Sequence, residues 1–255
     1  MTDVYAAWAA DHALLLFIAL PLLSGAGALL FARGCLRGSS RRRAACFALG
    51  TCASFALFFV LAYAVGRPGA VVAFDRALAA ALSMSMSMPL LWLLSWFTYL
   101  GDRTFLTVIA VLMTLFLLWG RHWRLAVFCA VATGLGGALN WLLKHSFERV
   151  RPDHDHGYAT AVGWSFPSGH SSAAMAVYGT ACYLVWRLAP PAWRLPAVAM
   201  LAALVMAIGL SRILLQVHFA SDVVAGFAVS LGWLAVCVAV ARRWRVSGDE
   251  PQRPQ

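Results

Sequence analysis

The chain has 255 residues, 62% of them apolar and only 12% charged. A soluble globular domain carries about a quarter charged residues, so the composition excludes an ordinary water-solvated domain and points to a membrane. Twenty basic residues against ten acidic ones give a formal charge of +10, but the arginines flank apolar stretches and do not line one aromatic-studded face, which argues against a nucleic-acid surface.

Crossing the hydrocarbon takes about twenty apolar residues, and seven spans are predicted, making the fold an all-α polytopic membrane bundle. The first runs over 13–31 and the second over 45–65. The third begins at Leu90 or Phe105 and ends at Trp119, because the run from Met84 to Pro89 interrupts the pattern before it. Residues 71–82 carry Asp75 and Arg76 and are expected to form a helix lying at the interface. The remaining spans are 125–143, 171–186, 196–210 and 220–241, followed by a polar, proline-containing tail expected to be disordered. No Lys or Arg precedes Arg33, which argues against a cleaved leader and for an outside N-terminus.

Charge placement supports this order. If the loop holding Arg33, Arg37, Arg41, Arg42 and Arg43 is cytoplasmic, alternate connections put 13 basic residues inside against two acidic ones, and 7 basic against 8 acidic outside. That bias follows the positive-inside rule. It leaves Lys144, Arg151 and Arg212 on the outer face. The six cysteines form no CxxC pair, and five lie inside apolar spans, so they read as small buried hydrophobes and imply neither a disulfide framework nor a metal site.

Three polar clusters interrupt the apolar background. Lys144, the only lysine, lies near a helix end, and Arg151 follows seven residues later just before Pro152, where the chain must leave the helix; both can converge on one anion. Glu148 and Arg149 between them are expected to be solvated or paired with each other. Next, Pro167-Ser168-Gly169-His170 opens an alanine-rich helix. Ser168 is a candidate N-cap, Gly169 permits close backbone approach, and the helix start favours phosphate. Last, Ser211-Arg212 is followed by His218 and Asp222 at a spacing of four. On a helix this stacks the two side chains, so Asp222 can orient one ring nitrogen and leave the other free to attack.

The run Asp153-His154-Asp155-His156 lacks helical or CxxC ligand geometry and reads as a solvated loop, with no metal expected. His12, His122 and His145 read as interfacial.

Together the three clusters resemble the signature of the type 2 phosphatidic acid phosphatase (PAP2) family, membrane lipid phosphatases related in fold to vanadium haloperoxidases. The resemblance extends over about residues 74–242. It implies a six-helix core, here with an extra N-terminal span, and divides the chain into N-terminal transmembrane helices (1–65), a phosphatase core (66–242) and a disordered cytoplasmic tail (243–255). It further implies that His218 is the nucleophile, Asp222 its orienting partner and His170 the general acid and base. Lys144, Arg151, Ser168, Gly169 and Arg212 would hold the phosphate, with no cofactor. The expected activity is hydrolysis of a lipid phosphate monoester or diphosphate through a phosphohistidine. An undecaprenyl diphosphate phosphatase is the alternative, with a lipid A phosphatase or phosphotransferase, or a non-enzymatic transporter, behind it. The expected partners are the lipid substrate and the bilayer, with no nucleic acid, and the expected site is the outer face of a bacterial inner membrane.

Overall fold

The computed structural model describes residues 2–153 and 156–246, so the tail expected to be disordered lies outside the described residues beyond Val246. Every regular element among the described residues is helical. A short helix, α1 (Thr2–Asp11), precedes α2 (Ala13–Arg37) and α3 (Ser40–Val65). The expected interfacial helix is α4 (Ala70–Ser85), and α1 lies against it through Ala6, Ala10, Leu78 and Leu82.

The uncertain start of the third span has a structural cause. α5 (Met88–Phe97), with Pro89 in its first turn, leads through a 3-10 turn (Thr98–Gly101) into α6 (Arg103–Trp119), so one 32-residue path is broken in the middle. Asp102 ends the break by capping α6, its carboxylate accepting from the amides of Thr104 and Phe105. The next path is likewise composite. α7 (Trp123–Ala130) passes through a π-helical turn (Val131–Leu135) into α8 (Gly136–Phe147). Beyond a long loop come α9 (Gly169–Leu188), α10 (Pro191–Leu214) and α11 (Ala220–Val246).

Six of these paths are long and apolar enough to cross a bilayer. The expected span at 171–186 falls in α9, which at 20 residues is about 30 Å long, the thickness of the hydrocarbon. It is less apolar because it faces protein: Ala174, Ala176, Val177 and Thr180 are buried, and α9 touches α6, α8, α10 and α11. The outermost helices show the opposite. Only 11% of the α2 and α3 spans is buried, against 56% of α11, so α11 is the central post and α2 and α3 present their apolar surface outward, as lipid-facing helices do.

Candidate active site

α8 ends, α9 begins, α10 ends and α11 begins at one end of the bundle, and this antiparallel arrangement assembles the site. Lys144 lies in the last turn of α8 and Arg212 in the last turn of α10. Ser168 caps α9, accepting from the amide of Ser171, and is itself fully buried. Loop residues 165–168 fold back over these ends: the Ser165 amide donates to Arg149 O at 2.7 Å and the Ser168 amide to Asp222 O at 3.0 Å.

His218 sits two residues before α11, so its partner Asp222 lies in the first turn of that helix. The carboxylate accepts from the amide of Phe219 at 2.9 Å and from the Ser165 hydroxyl at 2.5 Å, both on Oδ2. Because the Ser165 hydrogen is given to Asp222, its oxygen is left to accept from His218 Nδ1, 3.3 Å away, and Nδ1 also lies 3.5 Å from Asp222 Oδ2. At the opposite ring nitrogen, Nε2, the neighbour is Arg151 Nη1 at 3.0 Å. A guanidinium can only donate. The tautomer is therefore fixed: hydrogen on Nδ1, lone pair on Nε2. Burial pushes the pKa of His218 down to about 3; Asp222 pulls it up and the Arg151 charge pushes it further down. The imidazole is thus neutral near pH 7, and its contact with Asp222 is a hydrogen-bonding one, not an ion pair.

Arg151 is the cation at this nitrogen, Lys144 shares the Trp164 carbonyl with it, and Arg212 acts on His218 electrostatically. Arg151 is anchored by donating to the carbonyls of Val217 (2.7 Å), Gly163 (2.8 Å) and Trp164 (3.2 Å). Lys144 donates to the Trp164 carbonyl at 2.5 Å, and its Cε would lie 3.7 Å from a Cβ added at Gly169. Arg212 is 3% exposed, donates to the Thr98 hydroxyl at 3.0 Å, and has no partner for its Nε among the described residues. Such a buried donor is costly unless something else accepts from it. His170, in the first turn of α9, packs against the 3-10 turn, where a Cβ at Gly101 would lie 3.3 Å from its ring. Arg212, His218, Arg151 and Lys144 all act on it electrostatically. The eight expected residues are therefore brought to one place.

One expectation fails. Arg149 is neither solvated nor paired with Glu148. Glu148 takes the left-handed position that ends α8, with φ 45°, which turns the chain inward. Arg149 then donates to Asp222 Oδ1 at 2.6 Å and to Asp75 Oδ2 at 2.8 Å, with its guanidinium 4.3 Å from the Phe219 ring centre. Asp75 also accepts from the Ser221 amide at 3.2 Å and from the Ser221 hydroxyl. Sequence reasoning missed Arg149, Asp75, Ser165 and Thr98. Asp75 carried a usable signal, being a carboxylate in an apolar interfacial helix; Ser165 and Thr98 carried none. Of the 153–156 run, residues 154 and 155 lie outside the described residues, while His156 Nε2 lies 2.9 Å from the Leu215 carbonyl.

Chemically, the arrangement offers a neutral imidazole with a directed lone pair, a second imidazole close enough to interact with it electrostatically, and cations with a helix start to receive a multiply charged oxyanion. A family model described as PAP2 superfamily matches residues 125–245. Phosphatidylglycerophosphatase B of Bacillus subtilis (strain 168) is 32% identical over 183 residues, spanning 70% of this chain and 88% of the relative. A lipid A 1-phosphatase of Rhizobium etli is 34% identical over 113 residues, 41% of this chain and 44% of that one. A crystal structure of a transmembrane PAP2-type phosphatidylglycerolphosphate phosphatase from Bacillus subtilis superimposes with a TM-score of 0.68 at 28% identity, covering 80% of this chain and 98% of the other.

Proposed function

Because the chain belongs to the PAP2 superfamily, we propose that this pocket hydrolyses the phosphate monoester of a membrane glycerophospholipid, with the phosphoryl group passing through His218. The protein is an integral-membrane lipid phosphatase; the route and the residue roles are our reading. The observation that carries it is the Arg151 guanidinium facing the lone-pair nitrogen of a neutral, buried imidazole, with Lys144 sharing the Trp164 carbonyl with Arg151 and Arg212 acting on the ring electrostatically. Phosphoryl transfer is mostly positioning and charge stabilisation, and three fixed cations with the Ser168–Gly169 helix start supply both.

On this reading a phosphate oxygen takes over the Arg151 donor that faces Nε2, and Nε2 attacks phosphorus as the ester P–O bond breaks. The Nδ1 hydrogen stays directed at Ser165 and Asp222, whose carboxylate stabilises the cationic ring. His170 protonates the departing alkoxide, its imidazolium favoured by the negative charge of the bound phosphate; such an acid is worth about 10²–10⁴ in rate. It then takes a proton from water, which attacks phosphorus and returns the electron pair to Nε2. Charge bias in the loops supports a site on the extracytoplasmic face of a bacterial inner membrane.

The test is phosphate release in detergent from phosphatidylglycerophosphate, phosphatidic acid and lipid A. Wild type is expected to favour the glycerophospholipid monoesters, and His218→Ala to lose activity by on the order of 10⁴-fold or more. Equal rates in the two proteins would refute the nucleophile. Spheroplasts given an impermeant short-chain lipid phosphate are expected to hydrolyse it without lysis; activity that appears only after lysis would refute the outer face.

A further inference from the structure

We propose that Arg149 and Asp75 are positioning residues for phosphoryl transfer: they hold the Asp222 carboxylate, and through it the His218 ring, at the angle attack requires. The inference rests on the reading of His218 as nucleophile.

Asp222 divides its two oxygens between two tasks. Oδ2 serves the reacting side, with Ser165, the Phe219 amide and His218 Nδ1 around it. Oδ1 is held by Arg149 Nη1 at 2.6 Å. A carboxylate held at one oxygen can turn about its Cβ–Cγ bond, whereas one held at both cannot, and the orientation of Oδ2 fixes that of the imidazole. Arg149 needs fixing in turn. Its other terminal nitrogen meets Asp75 at 2.8 Å, Nη1 also donates to the Ser221 hydroxyl at 2.7 Å, and Phe219 lies against the guanidinium.

The chain of contacts crosses the fold. Asp75 belongs to α4, 74 residues from Arg149 and 146 from Ser221, so the interfacial helix is tied to the first turn of α11. Side-chain exposure is 11% for Arg149, 1% for Asp75 and 0% for Asp222. Three of the five guanidinium N–H donors of Arg149 go to the two carboxylates and Ser221, which ties the side chain to Asp222 and Asp75. Asp75 balances its charge. Lysine cannot reproduce this bridge, since a single ammonium lacks the planar fork that reaches two carboxylates at once.

The experiment uses the full-length protein in detergent, with steady-state kinetics on phosphatidylglycerophosphate for wild type, Arg149→Lys, Asp75→Asn and the double variant, and His218→Ala as control. Arg149→Lys and Asp75→Asn are each expected to lower kcat by about 10–100-fold, as loss of outer partners does at metal-ligating histidines, with KM within about twofold. Because the two residues act in series, the double variant should be no worse than Arg149→Lys alone. Arg149→Lys retains the buried charge, so it decides the matter if Asp75→Asn does not fold. A wild-type kcat in Arg149→Lys overturns the proposal. So does a fall in kcat accompanied by a raised KM and a collapsed thermal midpoint, which would mark a merely structural role. Wild type that releases no phosphate from any lipid would instead refute the functional reading and this inference with it.

Discussion

At the scale of single residues, His218 shows how burial selects a protonation state. With its pKa pushed from the ordinary 6.5 to about 3, the ring stays neutral throughout the range in which a solvated histidine would take a proton. Burial weighs most in this balance, with Asp222 pulling the value up and the Arg151 and Arg212 charges pushing it down. The sign for stability follows. Below about pH 6.5 the unfolded chain binds a proton that the folded ring refuses, so acid destabilises the fold progressively down to about pH 3 and the effect vanishes above the unfolded pKa. Nitrogen-15 NMR of the substrate-free protein is expected to show a neutral Nδ1–H tautomer at pH 5; a ring that titrates near pH 6.5 would contradict this. The charged motif residues were legible in the sequence because they form three short polar clusters in an apolar background. Arg149 was not legible. Glu148 beside it offered a local partner, while the carboxylates it meets lie 73 and 74 residues away.

At the scale of elements, the spans were readable as apolar runs, and the break in the third showed as its two alternative starts. The π-helical turn at Val131–Leu135 and the short helix α1 left no mark in the pattern that had been read. α9 could be found because its capped start, Ser168-Gly169, stands out, although protein burial dilutes its apolar character. Its seating depends on α11. A Cβ at Gly226 would lie 2.8 Å from the Ser168 carbonyl and 3.0 Å from the Ser172 hydroxyl, one of these being backbone with nowhere to move. Gly226→Ala is therefore expected to push the start of α9 away from Asp222, destabilising by about 1–3 kcal/mol and lowering turnover, read by thermal midpoint and kcat. Gly27→Ala, where nothing lies within 4 Å of the added carbon, should leave the midpoint no lower. An unchanged midpoint and kcat in Gly226→Ala would contradict the close seating.

At the scale of the whole molecule, two solvents organise the chain. Lipid-facing helices α2 and α3 expose leucine and phenylalanine side chains such as Leu22, Leu23, Phe31 and Phe59, while the ionisable groups that do enter the protein collect at one end, where four helix termini and one loop satisfy most of their hydrogen bonds. Burying Asp75, Asp222, Arg149 and Arg212 together is expensive in an apolar bundle. Mutual pairing offsets it except at Arg212, whose Nε has no partner among the described residues and fits a site completed by an anion. The most direct measurement of the central claim is a rapid-quench trap under alkaline conditions. His170→Ala is mixed with labelled p-nitrophenyl phosphate, whose leaving group needs no acid, and the protein is then mapped by mass spectrometry. The account expects label on His218 at Nε2, stable in alkali and lost in acid. Turnover without any labelled protein, or label on a different residue, would contradict it.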